Sequence, residues 1–251
     1  PINKSKGTPI IGHGDVKRQL LIMRSLTEAM RALVLVSSEV MERSSNGEKH
    51  FKHLESFLIP IIKGWCTELA QEVTSIGVQV HGGMGFIEET GASQIMRDAR
   101  ILPIYEGTNA IQANDLMFRK TIKDNGKTAL SFLSKIKNEV KDNKELIKYI
   151  NITEKTVNYI LENKDENEAL SCISYDFMMG FGYMIGGWLM NKSKLKAEEK
   201  LGFSKNDKTF LESKILSSKF YNTHILPRVE THFKIVKNGS KVVLEAKDSY
   251  I

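Results

Sequence analysis

Residues 79–120 read QVHGGMGFIEETGASQIMRDARILPIYEGTNAIQANDLMFRK, and the interpretation of the whole chain depends on them. Four of the eleven residues from 81 to 91 are glycine, so the backbone there is free to take conformations that side chains forbid. Consecutive glycines after a helix can also direct backbone N–H groups towards a phosphate. The bare pattern is as typical of a structural turn as of a phosphate site. It is not the GxGxxG fingerprint, because no strand precedes it.

The sequence YEGT at 105–108 places Glu106 between a tyrosine and a glycine, just ahead of a predicted helix. A carboxylate acts as a general base when it is held near an acidic C–H group and is partly desolvated. Gly107 would leave room for a substrate against the backbone. The alternative is an exposed glutamate that interacts favourably with the helix dipole. Local chemistry leaves both interpretations open.

Upstream of this stretch, apolar residues recur at the spacing of one helix face from Val16 to about Arg43, and again from about Phe51 to Val80. Asp15 is predicted to cap the first helix. Pro60 predicts a kink or a break in the second helix, because proline has no N–H group to donate.

Within the stretch itself, ASQIMRDA predicts a short helix and RILPIYEGT predicts extended or irregular backbone. Another helix is expected to begin at NAIQ, with Thr108 as its cap. Arg97, Asp98 and Arg100 of MRDAR are predicted to form ion pairs with the helical bundle. These pairs would tie down the connecting segment, which is the stretch between the second long helix and NAIQ.

Downstream, NGK at 125–127 indicates a boundary, and helices are predicted at about 127–142, 145–163, 166–193 and 206–237. The apolar run FMMGFGYMIGGWLM at 177–190 is too short to span a bilayer comfortably and predicts a buried helix whose glycines allow close approach. Asn238-Gly239 is predicted to end the last helix in the left-handed conformation, followed by a tail. A hairpin across Asn-Gly is the less favoured alternative.

Composition favours an all-α globular protein. Hydrophobic residues make up 41% and charged residues 26% of the 251 residues, and only five are proline. The net charge of +6 comes from scattered lysines, which indicates a solvated surface rather than a nucleic-acid footprint. Such a surface would still suit a substrate that carries phosphates.

Cysteine and histidine usage provides little evidence for catalysis or metal binding. Cys66 and Cys172 lie in apolar helical patterns, and we expect buried free thiols in a reducing compartment, the cytoplasm. No metal-ligand spacing and no signal-peptide pattern is present, and the first residues, PINKSKGTPIIGHGDV, suggest the interior of a longer polypeptide.

His81 could be catalytic, but a packing role is more typical beside glycines. The same applies to the scattered histidines, which are His13, His50, His53, His224 and His232.

The continuous stretch 79–120 resembles the C-terminal signature of the acyl-CoA dehydrogenase family. HGDVKRQLLIMRSLTEAMRAL at 13–33 is similar to the start of that family's C-terminal helical bundle. The rest of the chain resembles the extra helical domain of the larger members, the group that includes the 3-methylmercaptopropionyl-CoA dehydrogenases. The resemblance implies a linker at 1–12 from a missing N-terminal part, a four-helix bundle at 13–124 and an additional helical domain at 125–251.

The resemblance also implies an FAD-dependent reaction in fatty acid β-oxidation. Glu106 would remove the α-proton of an acyl-CoA thioester while the β-hydride passes to the flavin, which gives a trans-2-enoyl-CoA. Its backbone N–H would bind the thioester oxygen, and Tyr105 and Gly107 would lie beside the substrate. The residues implied in FAD binding, partly to the FAD of a neighbouring subunit, are Gln79, Val80, His81, Gly82, Gly83, Thr108, Asn109 and Ala110.

The partners implied by the resemblance are an acyl-CoA substrate, further copies of the chain in a dimer or tetramer, and an electron-transfer flavoprotein as electron acceptor. No membrane partner is implied. The alternatives are a catalytically silent flavoprotein with a DNA-binding role and a module that serves only oligomerisation. Lysines clustered on one face of 127–237 would favour DNA binding, whereas the glutamate at position 106 favours catalysis. Without the flavin-enclosing domain, the isolated chain is expected to be inactive.

Overall fold

The computed structural model describes residues 9–203 and 207–250, and all regular secondary structure in those ranges is helical. This confirms the all-α prediction. Besides short 3₁₀ turns, the elements are α1 Gly14–Ser45, α2 Lys49–His81, α3 Gly83–Phe86, α4 Ala92–Ala99, α5 Asn109–Asn114, a π-helix Asp115–Ile122, α6 Lys127–Glu139, α7 Lys144–Glu162, α8 Asn167–Leu201, α9 Lys208–Phe220, a π-helix Tyr221–Ile225, α10 Arg228–Asn238 and α11 Ser240–Leu244.

The first two helices confirm the apolar periodicity, show no break at Pro60 and correct the predicted cap of α1, while a kink at Pro60 stays a prediction. Helix α2 continues through Pro60 without a break, because fully buried side chains on both sides, such as Phe57 and Trp65, hold the helix in place. The N-cap of α1 is His13 rather than Asp15. The Asp15 carboxylate instead accepts hydrogen bonds from Arg18 and from Gln19 within the first turn.

Helix α8 is the centre of the molecule. Every residue from 177 to 191 is buried, and α8 packs against α1, α2, α7, α9 and α10. Side chains on both sides of position 124 therefore join one hydrophobic core. The division of the chain into domains at 124/125 stays a prediction. Within the described ranges, no helix has the length and apolar character to cross a membrane.

The glycines of α8 allow bulky side chains to pack directly on its backbone, as the sequence predicts. A Cβ atom on Gly182 would overlap the buried ring of Trp65 from α2. A Cβ atom on Gly180 would lie 2.5 Å from the ring of Phe233 in α10. Gly182 therefore sets the distance between α8 and α2.

The C-terminal part differs from the prediction in three ways. The helix predicted at 206–237 is divided into α9, a π-helix and α10, with Pro227 before Arg228 at the break; residue 206 lies outside the described ranges. Gly239 has φ −87°, so Asn-Gly does not form a left-handed cap. The hairpin alternative is wrong, since α11 follows directly.

Both cysteines are free, but their side chains are partly exposed rather than buried. Burial nevertheless raises the pKa of the Cys66 thiol to about 12, so this group stays protonated at neutral pH. Among the described residues, no cluster of histidine, cysteine and carboxylate side chains could hold a metal ion.

Replacing Gly182 with alanine should destabilise the protein by about 1–3 kcal/mol, since Trp65 has to move out of a filled core. Urea unfolding measures the change in the free energy of unfolding. Gly14→Ala is the matched control, because no atom lies within 4 Å of the added Cβ. That control should change stability by less than about 0.5 kcal/mol. Equal effects of the two substitutions would contradict the packing role of Gly182.

Candidate functional site

Glu106 lies in a strained turn. Its φ is 56° and that of Gly107 is 81°, so two consecutive residues occupy the left-handed region. A side chain in this region costs energy, and glutamate lacks the local hydrogen bonds that make asparagine tolerable there. Strained residues of this kind persist only where the surrounding structure fixes them, and they are frequent at functional sites.

Three hydrogen bonds fix the Glu106–Gly107 turn. Gln112 Nε2 donates to the Glu106 carbonyl at 3.1 Å, and Lys63 Nζ donates to the Gly107 carbonyl at 2.7 Å. The Asn109 backbone N–H closes the loop by donating to the Pro103 carbonyl at 3.1 Å. The turn is therefore bound to its own helix on one side and to α2 on the other.

Asn109 fastens the start of α5 to α2. Its side chain is only 4% exposed, and Nδ2 donates to the Glu68 carboxylate at 2.8 Å and to Thr67 Oγ1 at 2.9 Å. Its Oδ1 accepts from Lys63 Nζ at 2.9 Å. The Asn109 side chain is thus committed inside the protein, and its backbone N–H is engaged by the Pro103 carbonyl.

The carboxylate of Glu106 is exposed, and among the described residues it has neither a hydrogen-bond nor an ion-pair partner. Its backbone N–H likewise makes no hydrogen bond to any described residue. Burial lowers the pKa of the nearby Lys63 ammonium, while the charges of Glu106 and Glu68 partly oppose that effect. A free acceptor and a free donor therefore lie on one rigid residue.

Three of the four glycines of the 81–91 segment have different surroundings. Gly82 has φ 62° and ψ −146°, a conformation that only glycine adopts readily. A Cβ on Gly85 would overlap the Val78 carbonyl, whereas nothing lies within 4 Å of a Cβ on Gly83. Packing does not account for Gly83, so its exposed backbone leaves open space for a ligand.

His81 has one ring nitrogen engaged. Its Nδ1 lies 2.7 Å from the Gly77 carbonyl, one turn back in α2. Since a carbonyl only accepts, Nδ1 carries the proton, and Nε2 of the neutral ring is then an acceptor. His81 can donate from Nε2 only as an imidazolium. The neighbouring Gln79 is exposed and Val80 is half-buried.

The two groups of predicted site residues do not meet. Lys63 contacts the Glu106 turn, whereas His81 lies eighteen residues further along the same helix, or about 27 Å at 1.5 Å per residue. Near the Glu106 turn, Thr108 and Ala110 are exposed. Thr108 occupies the N-cap position, but its side chain makes no capping hydrogen bond. Tyr105 is also exposed.

Exposed apolar side chains surround the connecting segment. Phe86 is 80% exposed, and with Met96 it lines a groove of about 520 Å³ between α2 and α4. Arg97 pairs with Glu88 at 2.5 Å, within the same segment and not with the helical bundle as predicted. A concentration of exposed apolar side chains in one segment is typical of an interface. Its other members are Met84, Ile87, Ile95, Ile101, Ile104 and Ile111.

The sequence interpretation missed the acidic and basic residues that support the site. Glu68 and Glu72 lie one turn apart on α2. Glu68 holds Asn109, while Glu72 forms two hydrogen bonds, of 2.6 and 2.7 Å, with Arg228 of α10. The four-residue spacing of the glutamates was visible, but Arg228 lies 156 residues from Glu72, so no local pattern could identify the pair.

Two family profiles match the chain. The one described as acyl-CoA dehydrogenase, C-terminal domain, matches residues 3–120, and the one described as acetyl-CoA dehydrogenase C-terminal like matches residues 119–247. The chain is 39% identical to a 3-methylmercaptopropionyl-CoA dehydrogenase of Ruegeria pomeroyi over 94% of its own length and 43% of that protein. It is 26% identical to a broad-specificity linear acyl-CoA dehydrogenase of Mycobacterium tuberculosis, again over 43% of that protein.

Solved structures show the same fold. An acyl-CoA dehydrogenase from Bacillus anthracis, complexed with FAD, superposes with a TM-score of 0.66 at 20% identity, over 98% of this chain and 45% of that one. ACDH-11 of Caenorhabditis elegans, in complex with C11-CoA, gives 0.67 at 18% identity, over 98% of this chain and 42% of that one. The chain therefore spans less than half the length of these proteins.

Glu106→Asn should stabilise the chain by about 0.5–1 kcal/mol, because asparagine tolerates the left-handed region and the glutamate carboxylate forms no hydrogen bond or ion pair with a described residue that would be lost. Thermal and urea unfolding would measure this gain. Glu89→Asn is the matched control, since Glu89 is an exposed glutamate without positive φ. A loss of stability in Glu106→Asn would show that the turn is not strained.

Proposed function

The chain belongs to the acyl-CoA dehydrogenase family, whose C-terminal domains it matches over residues 3–247, and we propose that it provides the catalytic base of an FAD-dependent acyl-CoA dehydrogenase. The reaction is the α,β-dehydrogenation of an acyl-CoA thioester to a trans-2-enoyl-CoA. The observation that carries this proposal is the Glu106 turn. An exposed carboxylate and a backbone N–H, neither of them bonded to a described residue, are held on one strained residue by bonds to α2 and α5.

Glu106 has two roles in the proposed reaction. Its carboxylate accepts the proton from the carbon next to the thioester carbonyl. Its backbone N–H donates to the thioester oxygen as negative charge develops there, which lowers the barrier to proton removal. Bound FAD supplies the acceptor for the hydride that leaves the β-carbon. Because Gly107 has no side chain, the substrate can lie against the backbone.

The Gly82–Gly83 backbone is suited to the phosphates of FAD. Gly82 adopts a conformation that requires glycine, and the space beside Gly83 is open. Exposed backbone without Cβ atoms can approach a pyrophosphate closely. His81 and Gln79 add polar groups at this end of α2, with Val80 beside them. Near Glu106, the exposed Thr108 and Ala110 would face the flavin, and the buried Asn109 between them would hold the start of α5 in place.

The separation of about 27 Å along α2 between these two regions supports the proposal that they serve different FAD molecules. One chain would give its base to one flavin and its glycine backbone to the flavin of a neighbouring copy. A homo-oligomer, dimer or tetramer, follows from this arrangement. The exposed apolar side chains around Phe86 provide a surface for such contacts.

The substrate and electron acceptor are proposed from the relatives. The names of the similar proteins specify 3-methylmercaptopropionyl-CoA and linear acyl-CoA, which supports an acyl-CoA with a small or linear chain. An electron-transfer flavoprotein is the proposed acceptor, and β-oxidation is the proposed context. The two free thiols support a reducing compartment such as the cytoplasm.

Glu106→Gln should slow flavin reduction on the order of 10²- to 10⁴-fold, because an amide cannot accept the α-proton. The measurement is flavin bleaching after a panel of acyl-CoAs is added to a holoenzyme that contains this chain. Glu89→Gln is the control, since it removes the same charge from an exposed position of the connecting segment. Normal bleaching in Glu106→Gln would overturn the assignment of the base, and no FAD binding at all would overturn the proposed activity.

A further inference from the structure

Lys63 is a basic residue that neither the sequence patterns nor the proposed reaction assigns. It lies at the middle of α2 and is half-buried. Its ammonium donates to two acceptors of the segment opposite, the Gly107 carbonyl at 2.7 Å and Asn109 Oδ1 at 2.9 Å. These acceptors stand directly after Glu106 and at the start of α5.

We infer that Lys63 is a positioning residue that locks the Glu106–Gly107 turn in its left-handed conformation. The lock directs the carboxylate of Glu106 at the α-carbon of the substrate and its backbone N–H at the thioester oxygen. This inference rests on the proposed function for its consequence in catalysis. The geometry of the turn itself does not depend on that function.

The first step of the argument is the strain. Glu106 has φ 56° without glycine's freedom, so the backbone would relax to negative φ if nothing held it. The hydrogen bond from Gln112 comes from α5 and moves with it. Among the described side chains that bond directly to residues 106 and 107, Lys63 alone comes from a different helix.

The second step is that Lys63 itself is fixed. Asn109, one of its acceptors, is buried and is held to Thr67 and Glu68 one turn further along α2. The ammonium has three donors and no acceptor, so two bonds to the opposite segment leave it little freedom. Burial lowers the pKa of the Lys63 ammonium, and the charges of Glu106 and Glu68 partly offset that effect.

The third step extends the support to the second half of the chain. Glu72, one turn beyond Glu68, is held by Arg228 of α10 with two short hydrogen bonds, and Arg228 also donates to the Tyr183 hydroxyl of α8 at 3.0 Å. Nine residues beyond Lys63, helix α2 is therefore tied to α10 and, through Arg228, to α8. A rigid α2 is what makes the Lys63 bond a restraint on the turn.

The experiment compares Lys63→Met, Lys63→Arg and the control Lys52→Met, which removes the same charge from an exposed position of α2. In the isolated chain, the HN–Hα coupling and residual dipolar couplings of Glu106 report its φ. In a holoenzyme containing the chain, rapid mixing with an acyl-CoA gives the rate of flavin reduction and the dissociation constant of the substrate separately.

We expect Lys63→Met to lose the positive φ of Glu106 and to slow flavin reduction about 10- to 100-fold, because a small displacement of a catalytic group has effects of this size. The dissociation constant should change less than about threefold. Lys63→Arg, which keeps a cationic donor, should recover much of the rate, and Lys52→Met should match the unsubstituted protein. If Lys63→Met does not fold, Lys63→Gln is measured in the same way.

Positive φ and a rate within twofold in Lys63→Met would overturn the inference. A slow rate with the turn intact would overturn it too, because the effect would then not be one of position, and a lost turn with an unchanged rate would do the same. If the turn is lost in the isolated chain but no variant, the unsubstituted protein included, reduces flavin, the proposed function fails while the role of Lys63 in the turn stands.

Discussion

The contact between Trp65 of α2 and the backbone of α8 at Gly182 is the constraint on which the rest of the structure depends. It brings the two longest helices of the core together at a distance that no larger residue would permit. Helix α2 carries the glycine backbone at its end and the support of the Glu106 turn at its middle. Helix α8 carries the packing surface for the C-terminal helices. The position of both candidate regions is therefore set by one buried contact.

Strain and stability are balanced at the Glu106 turn. A left-handed glutamate is unfavourable by itself, and the neighbouring hydrogen bonds from Lys63, Gln112 and Asn109 compensate for it. A carboxylate that pairs with no residue of 9–203 or 207–250 would be easy to explain as an ordinary exposed side chain. The backbone of Glu106, however, has an unfavourable positive φ that neighbouring hydrogen bonds maintain. This argues for a functional position, because a glutamate that is merely solvated could adopt a relaxed backbone.

The sequence allowed the architecture to be predicted but not the support of the site. Apolar periodicity located α1 and α2, and the glycines of the 177–190 run indicated close packing, because both signals are local. Rules that consider a single residue were less successful. Pro60 did not break α2, because tertiary packing holds that helix together. Asp15 did not cap α1, because its carboxylate accepts hydrogen bonds from the Arg18 and Gln19 side chains. The roles of Lys63 and Glu68 depend on residues more than forty positions away, and nothing in their own surroundings indicates them.

The distance along α2 between the glycine backbone and the Glu106 turn has a genetic consequence under the proposed function. Suppose that each copy of the chain gives its base to one flavin and its Gly82–Gly83 backbone to another. A substitution at Glu106 and a substitution at the glycine backbone of the same copy then damage two different active centres. Two inactive proteins, one altered only at Glu106 and the other only at the glycine backbone, would then form mixed assemblies in which some centres contain two intact halves. Complementation between two null alleles of a single gene would follow directly from the length of one helix.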